Sequence, residues 1–439
     1  MDIEKKYNQV YQDMAEIVEK RNTNHLYTAL GYTSNLDLLC DFQTEYLNQL
    51  LERYIPEHNL SEMKVRNPIR TIEDLLCTIT YFCINGIGGE VNIEESALVE
   101  RYFSCQYGMG GTAVQAALAL SKIGCPSIVH LTDDSKEVCS LLKKSFVKII
   151  SKQGEIADPE AGAQNGEQEI HCIIQFQKGE YIHLRDQKVK IPCSNRLILT
   201  KVTVNQVVLF SDSYFRWIEQ HASKVKSNVL SGFNTIVDAQ ILSDRLRYVK
   251  AHLKKYRENN PQGIVFFEDA HYHVESIKRI CIENLYAWVD IVSLNEEELK
   301  YTLESMYGFA IDLDDIFSCV RGAKFLRKNF KVRQGVIVHT KDYSMYVGNV
   351  FHADIEKGMI YGNMMATAKA KNGNYGTMDQ IKSVLKLEFS KKGIEHYQKI
   401  KDSELRDEVI LVPTKYIENP RYTIGLGDSF VGGVQLCFL

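Results

Sequence analysis

Apolar positions along this chain follow two rhythms. Residues 4–24 are charged and helix-forming, and a strand-like apolar stretch over 26–31 follows them. Apolar residues then recur three and four apart, which predicts helices over 44–54 and 71–84. Gly86-Ile87-Gly88-Gly89 interrupts that spacing, and Gly108-Met109-Gly110-Gly111 opens a small-residue helix over 112–123. Short β-rich runs separated by helical segments come next, at 127–131, 206–211, 235–238, 263–268, 291–294 and 335–339. Strands alternating with helices predict an α/β fold, a mostly parallel sheet with helices on both faces. Two stretches depart from the rhythm. Residues 153–168 are polar and read as a surface loop. Residues 170–199 read as antiparallel strands, which predicts a small β-rich lid beside the parallel core.

Composition narrows the class without naming a function. The 439 residues suit one large domain with an elaboration, or two domains. Hydrophobic content of 45% and charged content of 25% are those of a soluble globular protein. A net charge of -4 gives no reason to expect nucleic acid or an anionic membrane as partner. The first residues, Met1-Asp2-Ile3-Glu4-Lys5-Lys6, lack the apolar segment of a secretory signal, and no apolar run is long enough for a membrane span. Eleven cysteines without a C-x-x-C pair predict free thiols in a reducing cytoplasm. His271 and His273 have no further ligand at zinc-site spacing.

The most informative segment lies near the C-terminus: Thr423-Ile424-Gly425-Leu426-Gly427-Asp428, followed by what reads as the first turn of a helix. Gly425 and Gly427 permit a tight turn, and helix-start amides form an anion site. A carboxylate beside such a site repels a bound phosphate. It is useful as a base that takes a proton from an acceptor hydroxyl while the amides hold the moving phosphoryl group. The same segment also reads as a turn capped by an aspartate. Asn295 and Glu298 follow the apolar run 288–292 and share a helix face. They read either as contacts to a hydrated Mg²⁺ or as an N-cap with acidic first-turn residues. Glu268 ends the run 263–267 and reads either as a further carboxylate near the metal or as an exposed loop acid.

Taken together, these residues resemble the ADP-dependent phosphofructokinase/glucokinase family of the ribokinase superfamily. The stretch 412–428 follows the family pattern almost position for position, and Asn295-x-x-Glu298 matches its N-x-x-E motif. Phe266-Phe267-Glu268 resembles H-x-E with phenylalanine in place of the histidine. Gly110-Gly111-Thr112-Ala113 resembles G-G-Q-A with threonine in place of glutamine. The resemblance implies that Asn35, Asp37, Glu90, Gly111 and Thr112 bind the sugar. It also places Asn234, His339, Thr340, Thr423 and Ile424 on the nucleotide side. Arg196, in Asn195-Arg196-Leu197-Ile198, reads either as a phosphate clamp reaching over from the lid or as a surface residue.

The expected fold is therefore a ribokinase-like core of residues 1–31, 116–168 and 200–439. The sugar-binding lid would draw on part of 32–115 and on 169–199. The expected function is a Mg²⁺-dependent transfer of a phosphoryl group from ADP, giving AMP, to a hydroxyl of glucose, fructose 6-phosphate or a related hexose. Asp428 would be the base, and Gly425 and Gly427 would shape the anion site. Two other readings compete with it: a non-catalytic sugar- or nucleotide-binding protein on the same fold, and an ATP-using kinase of ribokinase type.

Overall fold

The structure, a computed structural model, describes residues 3–164, 166–418, 420–421 and 423–439. The chain forms two compact units. One comprises Met1–Ser34, Gly111–Asn165 and Asn205–Leu439, and the other Asn35–Gly110 and Gly166–Val204. The smaller unit thus takes 35–110 out of the range 32–115, and 166–204 where the sequence suggested 169–199.

Among the described residues, the larger unit is built on a ten-stranded sheet. Its parallel part runs, in spatial order, Gly335–His339, Ile291–Asn295, Ile264–Glu268, Val225–Leu230, Tyr27–Leu30, Ser127–Val129 and Val147–Ile150. Antiparallel strands Tyr343–Gly348 and Val409–Pro413 extend one edge, and Ile156–Ala157 closes the other. All five residues of Ile264–Glu268 are buried, as expected of a strand covered on both faces. Parallel strands end together, so Glu268, Asn295 and His339 arrive at one edge of the sheet. No helix among the described residues is long and apolar enough to cross a membrane.

The smaller unit has a mixed five-stranded sheet in the order Gly89–Asn92, Asn195–Lys201, Ile170–Phe176, Asn35–Cys40, Cys105–Gly110. Side chains alternate across a strand, and here the alternation sorts the two faces. Leu36, Leu38, Cys172, Ile174, Leu197, Leu199 and Val91 are buried on one face, and helix Ile72–Asn85 packs against strand Asn195–Lys201. The register sets Asp37 opposite His171 and His171 opposite Thr200, so these polar residues share the other face. The expected antiparallel strands are present as Ile170–Phe176 against Asn195–Lys201, with the hairpin Tyr181–Leu184 and Gln187–Lys190 forming a separate two-stranded sheet.

Two expected strands are absent, each for a local reason. Within 206–211, Val208 has a left-handed backbone (φ 43°) and Leu209 is 62% exposed, which is incompatible with a sheet interior. Within 235–238, Thr235 ends a one-turn 3₁₀ helix and Asp238 caps the helix Ala239–Asn259 through the amides of Gln240 and Ile241. Conversely, Val225–Leu230 is a central strand although Ser227 and Asn228 break its apolar run. Asn228 is buried because its amide meets the His252 ring at 2.9 Å. The eleven cysteines are free.

The first helix, Ile3–Thr23, buries Tyr7, Val10, Met14, Val18 and Arg21 at helical spacing. Arg21 is fully buried and donates to the carbonyls of Gln435 (2.5 Å) and Phe438 (2.7 Å), tying the N-terminal helix to the C-terminal segment. Arg21→Met strands those carbonyls. It should lower the unfolding free energy by about 2–3 kcal/mol, measured by urea denaturation.

Candidate active site

In the larger unit, the helix Leu426–Val434 starts at Gly425, which is its N-cap in the left-handed region (φ 64°). A side chain at this position would be strained and would strike Gln115 and Lys369. No side chain caps the helix, so its first amides remain available to an anion. Gly427 lies in the first turn, where an added Cβ would come 3.2 Å from His339 Cε1. Thr423 and Ile424 lead into the N-cap, while Asn419 and Tyr422 of the same motif lie outside the described residues.

Asp428 is partly buried in that first turn. Burial pushes its carboxyl above the ordinary aspartate value. The Lys369 charge, a hydrogen bond from Thr112 and the nearby His339 act against the rise. Thr112 is the first residue of the helix Thr112–Lys122, which Gly111 caps at φ 93°. Thr112, expected from the resemblance to bind the sugar, has its hydroxyl engaged with the carboxylate of the candidate base.

Along the sheet edge stand Glu268, Asn295, Glu298 and His339. Glu268 Oε1 meets His339 Nε2 at 2.9 Å, while its Oε2 is buried without a partner among the described residues. Asn295 and Glu298 form a capping box: Asn295 Oδ1 accepts from the Glu298 amide at 2.8 Å, and Glu298 Oε2 accepts from the Asn295 amide at 2.9 Å. The cap reading of this pair is therefore correct for the Asn295 side chain and for one Glu298 oxygen. Burial, then the charge of Glu268, pushes the Glu298 carboxyl up to about 8. Burial opposes a charged His339 ring, but the carboxylates of Glu268, Glu298 and Glu296 together outweigh it and raise the histidine.

A carboxylate oxygen buried without a donor, beside a second carboxylate that resists ionisation, is an environment short of a cation. Among the described residues, no three His, Cys, Asp or Glu side chains converge as a protein-only metal cage. Mg²⁺ keeps most of its waters and uses one or two carboxylates, so Glu268 and the free oxygen of Glu298 fit that ion. Phe266 is fully buried on the face of Glu268, and the imidazole beside Glu268 comes from His339 on another strand.

Asn234 lies in the one-turn helix Phe233–Thr235 at the same edge. Thr340 is committed to a turn, its hydroxyl accepting from the amides of Asp342 and Tyr343 at 3.0 Å each. Lys369 and Gln115 went unnoticed in the sequence. Lys369 is buried, donates to Gln115 Oε1 at 2.7 Å and to the Gly425 carbonyl at 3.1 Å, and lies 4.2 Å from the Tyr375 ring centroid. The helix Ile355–Asn372 is buried on most of its circumference, so no apolar stripe in the sequence singles out Lys369.

In the smaller unit, Asn35 Nδ2 donates to Asp37 Oδ1 at 2.7 Å and lies 3.2 Å from His171 Nδ1. His171 Nε2 lies 3.6 Å from Glu169, a buried carboxylate that also accepts from the Thr203 amide at 2.6 Å. Burial lowers His171, but Glu169, Asp37 and Glu90 outweigh it and hold the ring above its ordinary value. Glu90 is exposed and accepts from the Thr200 hydroxyl at 2.5 Å. Arg196 is exposed on the same face as Thr200, four residues and so about 13 Å away along the strand. The geometry thus joins Asn35, Asp37 and Glu90 around His171 and Glu169, two residues absent from the sequence reading, and leaves Arg196 apart.

The sequence matches the family described as the ADP-specific phosphofructokinase/glucokinase conserved region over residues 27–433. It is 24% identical to the ADP-dependent glucose/glucosamine kinase of Pyrococcus abyssi, over 96% of each chain. It is 23% identical to the ADP-specific phosphofructokinase of Pyrococcus horikoshii, over 94% of this chain and 98% of that one. The fold matches the structure of the last common ancestor of ADP-dependent phosphofructokinases from Methanosarcinales with a TM-score of 0.79 at 21% identity, covering 100% of this chain and 99% of the other.

The raised Glu298 has a consequence for stability. A folded-state value near 8 lies above that of the unfolded chain, so stability is full below the unfolded value and falls as pH rises toward 8. In EDTA, the thermal midpoint should therefore drop between about pH 5 and 8, and Glu298→Gln should flatten that slope.

Proposed function

The chain belongs to the ADP-specific phosphofructokinase/glucokinase family, and from that premise we propose that it phosphorylates a hexose or hexose phosphate with ADP, releasing AMP. The observation that carries this reading is Asp428, a carboxylate placed in the first turn of an uncapped helix start. Thr112 bonds it and the Lys369 charge favours its ionised form. A binding protein gains nothing from an anion repeller at its anion site. The departures at positions 266 and 112 also have structural answers, in His339 beside Glu268 and in the Thr112 bond to Asp428.

In this mechanism the larger unit binds the nucleotide. The amides that open the helix Leu426–Val434 receive the phosphoryl oxygens and hold the charge that spreads over them during transfer. Asp428 accepts the proton of the attacking hydroxyl as the oxygen–phosphorus bond forms and the AMP oxygen leaves. Glu268 and Glu298 would hold Mg²⁺, which when bound neutralises charge on the donor phosphates. His339 fixes the orientation of Glu268 through its 2.9 Å contact. In the smaller unit, Asn35, Asp37, His171 and Glu90 present donors and acceptors on one sheet face, suited to sugar hydroxyls. Free thiols throughout and a nucleotide substrate support a cytoplasmic location.

Incubation with Mg²⁺, either glucose or fructose 6-phosphate, and either ADP or ATP, with product separation by ion exchange, tests the reading. Sugar-dependent AMP formation from ADP is expected, and failure of every sugar with both donors would sink it. Asp428→Asn should cut turnover by about 10²–10⁴-fold while leaving ligand affinities nearly unchanged. Retention of more than about a tenth of wild-type turnover would mean that another group is the base. His171→Ala should raise the sugar KM by about tenfold, the loss of one charge-assisted contact, without changing the KM for the nucleotide. Equal effects on both constants would remove His171 from the sugar face.

A further inference from the structure

Burying an ammonium group costs several kcal/mol unless it is matched by partners, so a lysine that is 3% exposed calls for an account. Lys369 reaches from the helix Ile355–Asn372 to the residue that caps the Asp428 helix. Its ammonium donates to Gln115 Oε1 at 2.7 Å, on the helix Thr112–Lys122, and to the Gly425 carbonyl at 3.1 Å. The Tyr375 hydroxyl donates to the same Gln115 oxygen at 3.1 Å. The Gly425 carbonyl also receives the amide and hydroxyl of Ser429, at 3.2 and 3.1 Å. One cation therefore links the left-handed N-cap to the two helices that flank the anion site. The same helix Thr112–Lys122 supplies Thr112 to the Asp428 carboxylate.

Resting on the kinase reading above, we propose that Lys369 is a positioning residue for phosphoryl transfer: it clamps the Gly425 turn against Gln115 and sets a buried positive charge beside Asp428. The groups that face Asp428 from the elements packed around it are Lys369, Thr112 and His339. His339 is already engaged with Glu268, and Thr112 is neutral. Lys369 is thus the largest of the contributions that offset burial and keep the base ionised when the sugar hydroxyl arrives. Its contact with the Gly425 carbonyl also keeps that oxygen turned toward the protein, which leaves the amides of the turn directed at the anion.

The test is the pH dependence of kcat in Lys369→Met, Lys369→Gln and Lys369→Arg, measured with ADP, Mg²⁺ and the sugar that the wild type accepts. The two neutral variants should lose about 10–100-fold in kcat at neutral pH. Their acid limb should move up by about one pH unit, with both KM values within about threefold of wild type. Lys369→Arg, which keeps the charge, should restore the acid limb and most of kcat. Lys369→Gln can still donate to the Gly425 carbonyl, so it carries the test if the methionine variant fails to fold. An acid limb unchanged in a folded neutral variant, or a loss expressed in KM alone, overturns the assignment while leaving the kinase reading intact. A wild type without turnover overturns both.

Discussion

A carboxylate can serve as a base only while it is ionised, and the position of Asp428 works against that. Burial favours the neutral acid, and a phosphate at the same helix start would favour it further. The larger unit answers with three contributions from three elements: the positive end of the helix, the Thr112 hydroxyl and the buried Lys369 ammonium. Each depends on close packing of the helices that carry Gly425, Thr112 and Lys369. This explains why the turn is glycine, since a side chain at 425 would displace both Gln115 and Lys369.

The sheet edge shows the complementary condition. The Glu268 charge raises the cost of ionising Glu298, and one Glu268 oxygen is buried without a donor among the described residues. Two carboxylates arranged in this way store electrostatic repulsion that a cation relieves. His339 relieves part of it by meeting Glu268, and the capping box fixes Glu298 through backbone amides. A rigid, electron-rich edge of this kind suits an ion that stays largely hydrated, because few protein oxygens are required but their placement must hold.

The smaller unit solves a different problem with strand alternation. One face of its sheet is apolar and packed, so the opposite face is free to carry polar groups in register across neighbouring strands. Asp37, His171 and Thr200 form such a row, and Asn35, Glu90 and Glu169 attach to it by hydrogen bonds or charge. Three carboxylates around a single histidine make the face predominantly an acceptor of hydrogen bonds.

Sequence by itself determined the features whose cause is local. The helices Thr44–Tyr54 and Ile72–Asn85 follow from apolar spacing and the Gly425 turn from the need for positive φ, while for Asn295 and Glu298 capping chemistry within one turn was one of two readings. The motif also singled out Asp428, because a carboxylate beside helix-start amides is informative wherever the chain places it. Only the tertiary structure decided the rest. The strand Val225–Leu230 is stabilised by burial of Asn228 against His252, the imidazole beside Glu268 comes from His339, and the charge beside Asp428 comes from Lys369. These partners are separated along the chain by tens of residues or more, and periodicity carries no information about which distant side chain will meet which. A buried polar group has to find a partner, but its own sequence neighbourhood states only the need. The packing of strands and helices names the partner.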